Sequence, residues 1–120
     1  MRQIQLFPRF AAPVVTGTMK QHICKARVSP GDLVELKCGR LLLGRAKIRM
    51  THDVSIEYRG YFPSVRLNGD QLDSKGMEAF ARRVGFPDLA TLIDFHAEFD
   101  LLPLRSKVLD FELVREAVTV

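Results

Sequence analysis

A helix signal that a glycine stops, followed at once by a basic strand signal, sets how the first third of this chain must fold. Phe10, Val14 and Val15 are the apolar positions of a short helix over residues 10–16, where Pro13 is tolerable only in a first turn and Gly17 suits a left-handed cap. Residues 21–26 then read as a polar, basic strand, Ser29-Pro30-Gly31-Asp32 as a tight reversal, and Leu33 to Cys38 as an apolar strand. Lys20, His22 and Lys25 are thereby delivered beside a fixed helix terminus, which is where a site is expected.

Residues 3–7 precede the helix as a half-buried strand, since Ile4 and Leu6 alternate with polar neighbours. Residues 38–44 are expected to loop. Ala46, Ile48 and Met50 alternate with Lys47, Arg49 and Thr51, giving a strand with a basic outer face, and Val54, Ile56 and Tyr58 prolong the alternation. Arg59-Gly60-Tyr61-Phe62-Pro63 interrupts it, residues 64–67 resume it, and Asn68-Gly69-Asp70 turns the chain. The period then changes. Leu72, Met77, Phe80, Ala81 and Val84 fall at helical spacing, with Asp73 or Ser74 as cap and Gly85 as terminator. Asp88 caps a second helix whose Leu89, Leu92, Ile93 and His96 share one face. Pro103 closes the helical region, and residues 108–114 form a last strand. The order β-α-β-β-β-β-α-α-β, without repeats, is that of an α+β chain.

A chain of 120 residues has room for one domain with one core. Hydrophobic residues at 47% and charged residues at 27% exclude an extended disordered chain. No apolar run is long enough for a bilayer, and Met1-Arg2-Gln3-Ile4-Gln5 leads into alternation rather than into a signal-peptide core, so a cytoplasmic location without a membrane partner is expected. Cys24 and Cys38 lack metal spacing and read as reduced thiols, with no disulfide, zinc, other metal or cofactor expected. The net charge of +4 is unevenly spread. Ten Lys and Arg residues lie between Arg2 and Arg49, against only Asp32 and Glu35. The amino-terminal half is the basic half.

Laid out in this order, the residues resemble the ASCH domains, small members of the PUA-like β-barrel group. The likeness is carried by Arg9-Phe10, Val14-Val15-Thr16-Gly17-Thr18, Gln21 and Ile23, Pro30-Gly31-Asp32, Leu67-Asn68-Gly69, Ala81-Arg82-Arg83-Val84-Gly85-Phe86 and Phe111-Glu112-Leu113-Val114-Arg115. It is closest to the short stand-alone ASCH proteins of bacteria and their phages. The resemblance implies an α+β, PUA-like small β-barrel with flanking short helices, and a cleft that receives RNA or a modified nucleoside. One branch of the family, amidohydrolases acting on acetylated cytidine, uses a lysine, a threonine and a glutamate. Here Met19 stands at the lysine, His22 at the threonine, Cys24 at a following arginine and Val84 at the acid, so that set does not carry over.

The leading expectation is therefore binding of RNA or a nucleotide by a basic cleft beside residues 17–25, without the family's amidohydrolase activity. Phosphate contacts need only cations and backbone donors on one face, and aromatic rings can stack on unpaired bases. Arg9, Lys20, His22, Lys25, Arg27, Lys47, Arg49 and Tyr61 are the candidate binding residues, Tyr61 together with Tyr58 and Phe62 either stacking a base or capping the core. The competing reading of the basic face is a solvated strand surface. An enzyme remains an alternative, an amidohydrolase on acetylated cytidine or a related modified nucleoside as the resemblance implies, with Lys20 as nucleophile or base, His22 on the same strand face and Asp94 or Glu98 in support. A Cys24 nucleophile carries little weight beside its reading as a small buried hydrophobe. His52-Asp53 and Asp94 with His96 lack a third metal ligand, and His96 reads as a core histidine. A third alternative is a catalytically inactive modulator that binds a protein, Leu41-Leu42-Leu43 being either its contact patch or a buried strand start.

Overall fold

In the computed structural model, residues 1–59, 61–99 and 101–114 are described; Gly60 and the Arg115 of the closing motif lie outside them. These residues form seven strands and three helices in the order β1 (Arg2–Gln5), α1 (Pro8–Val15), β2 (Gln21–Cys24), β3 (Leu33–Cys38), β4 (Leu41–Arg59), β5 (Phe62–Leu67), β6 (Asp70–Gln71), α2 (Ser74–Arg83), α3 (Leu89–Glu98) and β7 (Leu104–Leu113). The fold is α+β, with one mixed sheet. None of the described helices is long and apolar enough to cross a membrane.

Local signals place the helices. Asp73 accepts a hydrogen bond from the Gly76 amide at 2.7 Å and Asp88 one from the Thr91 amide at 2.7 Å, each satisfying a first-turn donor that has no partner within its helix. Gly17 and Gly85 stop α1 and α2 with φ of 79° and 97°, the left-handed region that glycine enters without penalty.

The long strand β4 joins most of the sheet. It pairs antiparallel with β3 near its start, with β5 near its end, and along its other edge with β7, which in turn pairs with β2; β1 runs parallel to β3. The expected loop over 38–44 is instead a tight turn followed by strand, so that the strand expected from residue 46 already starts at Leu41 and runs on to Arg59. Continuity hides a change of face. Arg49 is extra in the ladder between Ile48, opposite Phe111, and Met50, opposite Asp110. One inserted residue reverses the facing of everything beyond it, which is why Ile48 is buried while Met50 is exposed.

The closed barrel implied by the resemblance is not formed. Among the described residues the paired strands end at β1 and the short β6 along one side of β4 and at β2 on the other, with no ladder closing β1 onto β2. Strands β1 and β2 are only four residues long, Pro8 opens α1 soon after β1, and aromatic side chains of α1 and α3 lie in the space between the two strands. One hydrophobic cluster, including Phe10, Val14, Met19, Ile48, Phe80 and Leu92, runs between sheet and helices.

Candidate functional site

The connection from α1 to β2 is held by its own hydrogen bonds. The Gly17 amide donates to the Val14 carbonyl at 3.1 Å, the Met19 amide to the Pro13 carbonyl at 3.0 Å, and the Thr18 hydroxyl to the same carbonyl at 3.2 Å. This turn sends Met19 into the core and leaves Lys20 in solvent. The Phe111 amide, donating to the Lys20 carbonyl at 3.0 Å, then fastens the segment to β7.

Lys20 borders a cleft of about 730 Å³ whose floor includes Val14, Met19 and Phe111. Its charged rim is balanced: Lys20 and Arg49 face Asp110 and Glu112. Arg49 is ion-paired with Glu112. Asp110 accepts from the side-chain amino group of Gln21 and lies 3.0 Å from His52 Nε2. The proton positions follow from the partners. The Asp53 amide must donate to Asn68 Oδ1 at 2.9 Å, so Asn68 turns its amino group to His52 Nδ1 at 3.0 Å, leaving Nε2 as the nitrogen that donates toward Asp110. The basic wall expected from the sequence is thus a neutralised one, because β7 brings two carboxylates to it.

Three residues of β2 line a different hollow. His22, Ile23 and Cys24, with Lys25 after them, border a cavity of about 270 Å³ together with Phe7, Phe10, Val84, Phe86, Phe95 and His96. His22 is 9% exposed, its ring stands edge-on to Phe10 at 5.4 Å, and its buried Nδ1 has no hydrogen-bond partner. Burial, and secondarily the nearby His96, pushes its pKa down to about 4, so the ring is neutral at neutral pH. His96 is also lowered by burial, against the opposing effect of the Leu92 carbonyl, which accepts from Nδ1 at 2.8 Å. Burial raises the Cys24 thiol, keeping it protonated and unsuited to nucleophilic attack. Arg9 lies over the Phe86 ring at 4.4 Å and over Phe95 at 5.4 Å, a cation on the aromatic shell.

The remaining candidates scatter. Lys20 and His22 do not converge: Lys20 precedes the first paired residue of β2, and the two side chains line separate hollows. Asp94 and Glu98 are exposed on α3 and line neither. Arg27 is exposed in the connection to β3, and Lys47 borders a shallow hollow shared with Arg49 and Glu112. Tyr61 is 95% exposed at the tip of the β4–β5 hairpin, with Tyr58 and Phe62 also exposed, so these rings cap no core. Leu41 and Leu42 are exposed at the start of β4. No group of three metal-binding side chains occurs among the described residues. The sequence reading missed Phe86, Phe95 and His96 as cavity walls; the neighbouring Phe95-His96 pair one turn beyond Leu92 was the available signal. Comparison of the chain with protein-family models, with curated proteins and with solved structures finds no match.

Proposed function

We propose that this chain binds a nucleotide or single-stranded RNA through residues 17–25, with one base entering the aromatic cavity beneath β2. The observation that carries this reading is the buried, unpartnered Nδ1 of His22 in a chamber walled by Phe10, Phe86 and Phe95. Buried polar atoms in folded proteins are normally paired, so such an atom in an accessible cavity calls for a partner. A neutral imidazole offers one donor or acceptor, and phenyl rings offer stacking surfaces, which together suit the edge and face of a base. The volume of about 270 Å³ lies at the small end of ligand pockets, matching a single ring system. Arg9 and Lys25 supply cations for an adjoining phosphate, whereas Lys20 and Arg49 face carboxylates.

The helix stopped at Gly17 and the strand that follows it border both hollows, and this arrangement supports a relation to the PUA-like and ASCH domains in an opened form. Titration with the ribonucleoside 5′-monophosphates and with a short single-stranded RNA tests the proposal. His22→Phe keeps a ring but removes the polar nitrogen and is expected to weaken the best ligand by about 5- to 10-fold, in line with the loss of one neutral hydrogen bond. Unchanged affinity in that variant refutes the assignment of His22, and absence of binding by any of these ligands refutes the function. A second reading, as a protein-binding module, is favoured by the exposed Tyr58, Tyr61 and Phe62. It predicts association that persists after nuclease treatment and is lost in Tyr61→Ser.

A further inference from the structure

The sheet carries a second cluster of cations that belongs to neither hollow. Ser55 of β4 is in register with Arg66 of β5 on one side and with Arg105 of β7 on the other. Residues paired across adjacent strands project from the same face, so the three side chains stand in one row with the serine in the middle. At roughly 4.8 Å per strand, the two arginine backbones are about 10 Å apart, within reach of a common small anion held between their guanidinium groups. Together with Asp53 and Gly69 they line a hollow of about 260 Å³.

Two observations separate this row from an ordinary solvated surface. Arg66 Nε is buried and has no hydrogen-bond partner, an unmade bond on a charged group. The nearest carboxylate in register, Asp53, is ion-paired with Lys107 in the adjoining row, so among the described residues neither arginine has an ion-pair partner. Glu57, the next position on that side of β4, is outside the lining of the hollow. Like charges placed near one another on a sheet face repel. An oxyanion removes that repulsion and gives Arg66 Nε its missing acceptor, and arginine's planar fork matches a tetrahedral oxyanion better than a lysine does.

We propose that Arg66 and Arg105 clamp a phosphate group above Ser55, whose hydroxyl donates a further hydrogen bond to it. The shared chemistry is that of a phosphoryl oxyanion, carried either by a small phosphomonoester or by the backbone of a nucleic-acid strand. The site is independent of the aromatic cavity, since neither arginine lines it.

The test follows the arginine Nε–Hε resonances of the whole chain during titration with inorganic phosphate and, separately, with a short single-stranded oligonucleotide lacking a terminal phosphate, each against sodium chloride at matched ionic strength. The expected result is a saturable shift of the Arg66 resonance and at least tenfold weaker binding in Arg105→Gln, a change at an exposed position that leaves the core untouched. Saturation by phosphate alone assigns the site to a phosphomonoester; tighter saturation by the oligonucleotide, lost in Arg105→Gln, assigns it to a strand backbone. The proposal is overturned if sodium chloride reproduces the shift, if Arg66 responds to neither probe, or if Arg105→Gln binds within twofold of the unaltered chain. His22→Phe is expected to leave the inorganic-phosphate titration of the Arg66 resonance unchanged, so failure here and failure at the cavity are distinguishable.

Discussion

Gly85 sits so close to Met19 that a Cβ on the glycine would stand 2.8 Å from the Met19 sulfur, and 2.9 Å from the Phe10 ring. The glycine also holds φ at 97°, so an alanine there meets both a strained backbone and two buried side chains that must give way. Gly85→Ala is expected to cost about 2–4 kcal/mol, more than the 1–3 kcal/mol typical of local backbone strain alone. Urea unfolding monitored by circular dichroism reads this directly; a loss below about 1 kcal/mol would show that the α2 terminus can shift.

The same contact decides what happens if Met19 is replaced by the lysine of the ASCH motif. Met19 is 2% exposed within the apolar core, and the carboxylates at the rim of the cleft above it, Asp110 and Glu112, are already engaged by Gln21 and Arg49. Met19→Lys is therefore expected to destabilise by about 3 kcal/mol or more at neutral pH and to lose part of that penalty at alkaline pH, where the lysine is neutral. Unfolding midpoints at pH 7 and pH 10, compared with the unaltered chain, check both statements.

His22 makes stability depend on pH with a definite sign. Its pKa falls from 6.5 to about 4 on folding, so between these values the unfolded chain binds the proton that the folded chain refuses. The contribution is fully present above pH 6.5 and is lost as pH falls toward 4, about 3 kcal/mol over the whole interval, with His96 acting in the same direction. His22→Phe is expected to flatten most of this dependence in urea titrations from pH 7.5 to pH 4.5. An equally steep dependence in the variant would place the titrating group elsewhere.

What the sequence made legible is what short-range chemistry controls. Asp73, Asp88, Gly17 and Gly85 mark helix ends through groups within a few residues of themselves, and each is found where its pattern put it. The early start of β4 at Leu41 was hidden because Gly39, Arg40 and Gly44 read as loop residues, and its change of face because the inserted Arg49 moves the buried side without leaving a compositional trace. The neutralised cleft was hidden for a different reason: Asp110 reaches Gln21 by a strand pairing across 89 residues, and nothing local to Lys20 announces it. Opening of the barrel was likewise a matter of two short edges and the rings between them, a packing outcome rather than a pattern.

Charge balance at the cleft also changes what a binding experiment should find. Were all the amino-terminal cations phosphate contacts, affinity for a single strand would fall steeply with salt, by about 0.7 log unit per contact for each tenfold rise in salt. With Arg49 paired to Glu112 and Lys20 facing Asp110, the contacts left beside the cavity are Arg9 and Lys25, and a slope of about −1.4 is expected. Lys25→Ala should reduce it to about −0.7 and weaken RNA binding uniformly across sequences, while Arg49→Ala should leave it unchanged and cost less than about 1 kcal/mol of stability, as exposed ion pairs do. Phe95→Ala should act on the other component, weakening binding by about 1–3 kcal/mol without altering the salt slope, because stacking of a base releases no counterions. Fluorescence anisotropy of a labelled short RNA between 50 and 300 mM salt separates the two. A slope of −3 or steeper that Arg49→Ala reduces would return the phosphate contacts to the cleft.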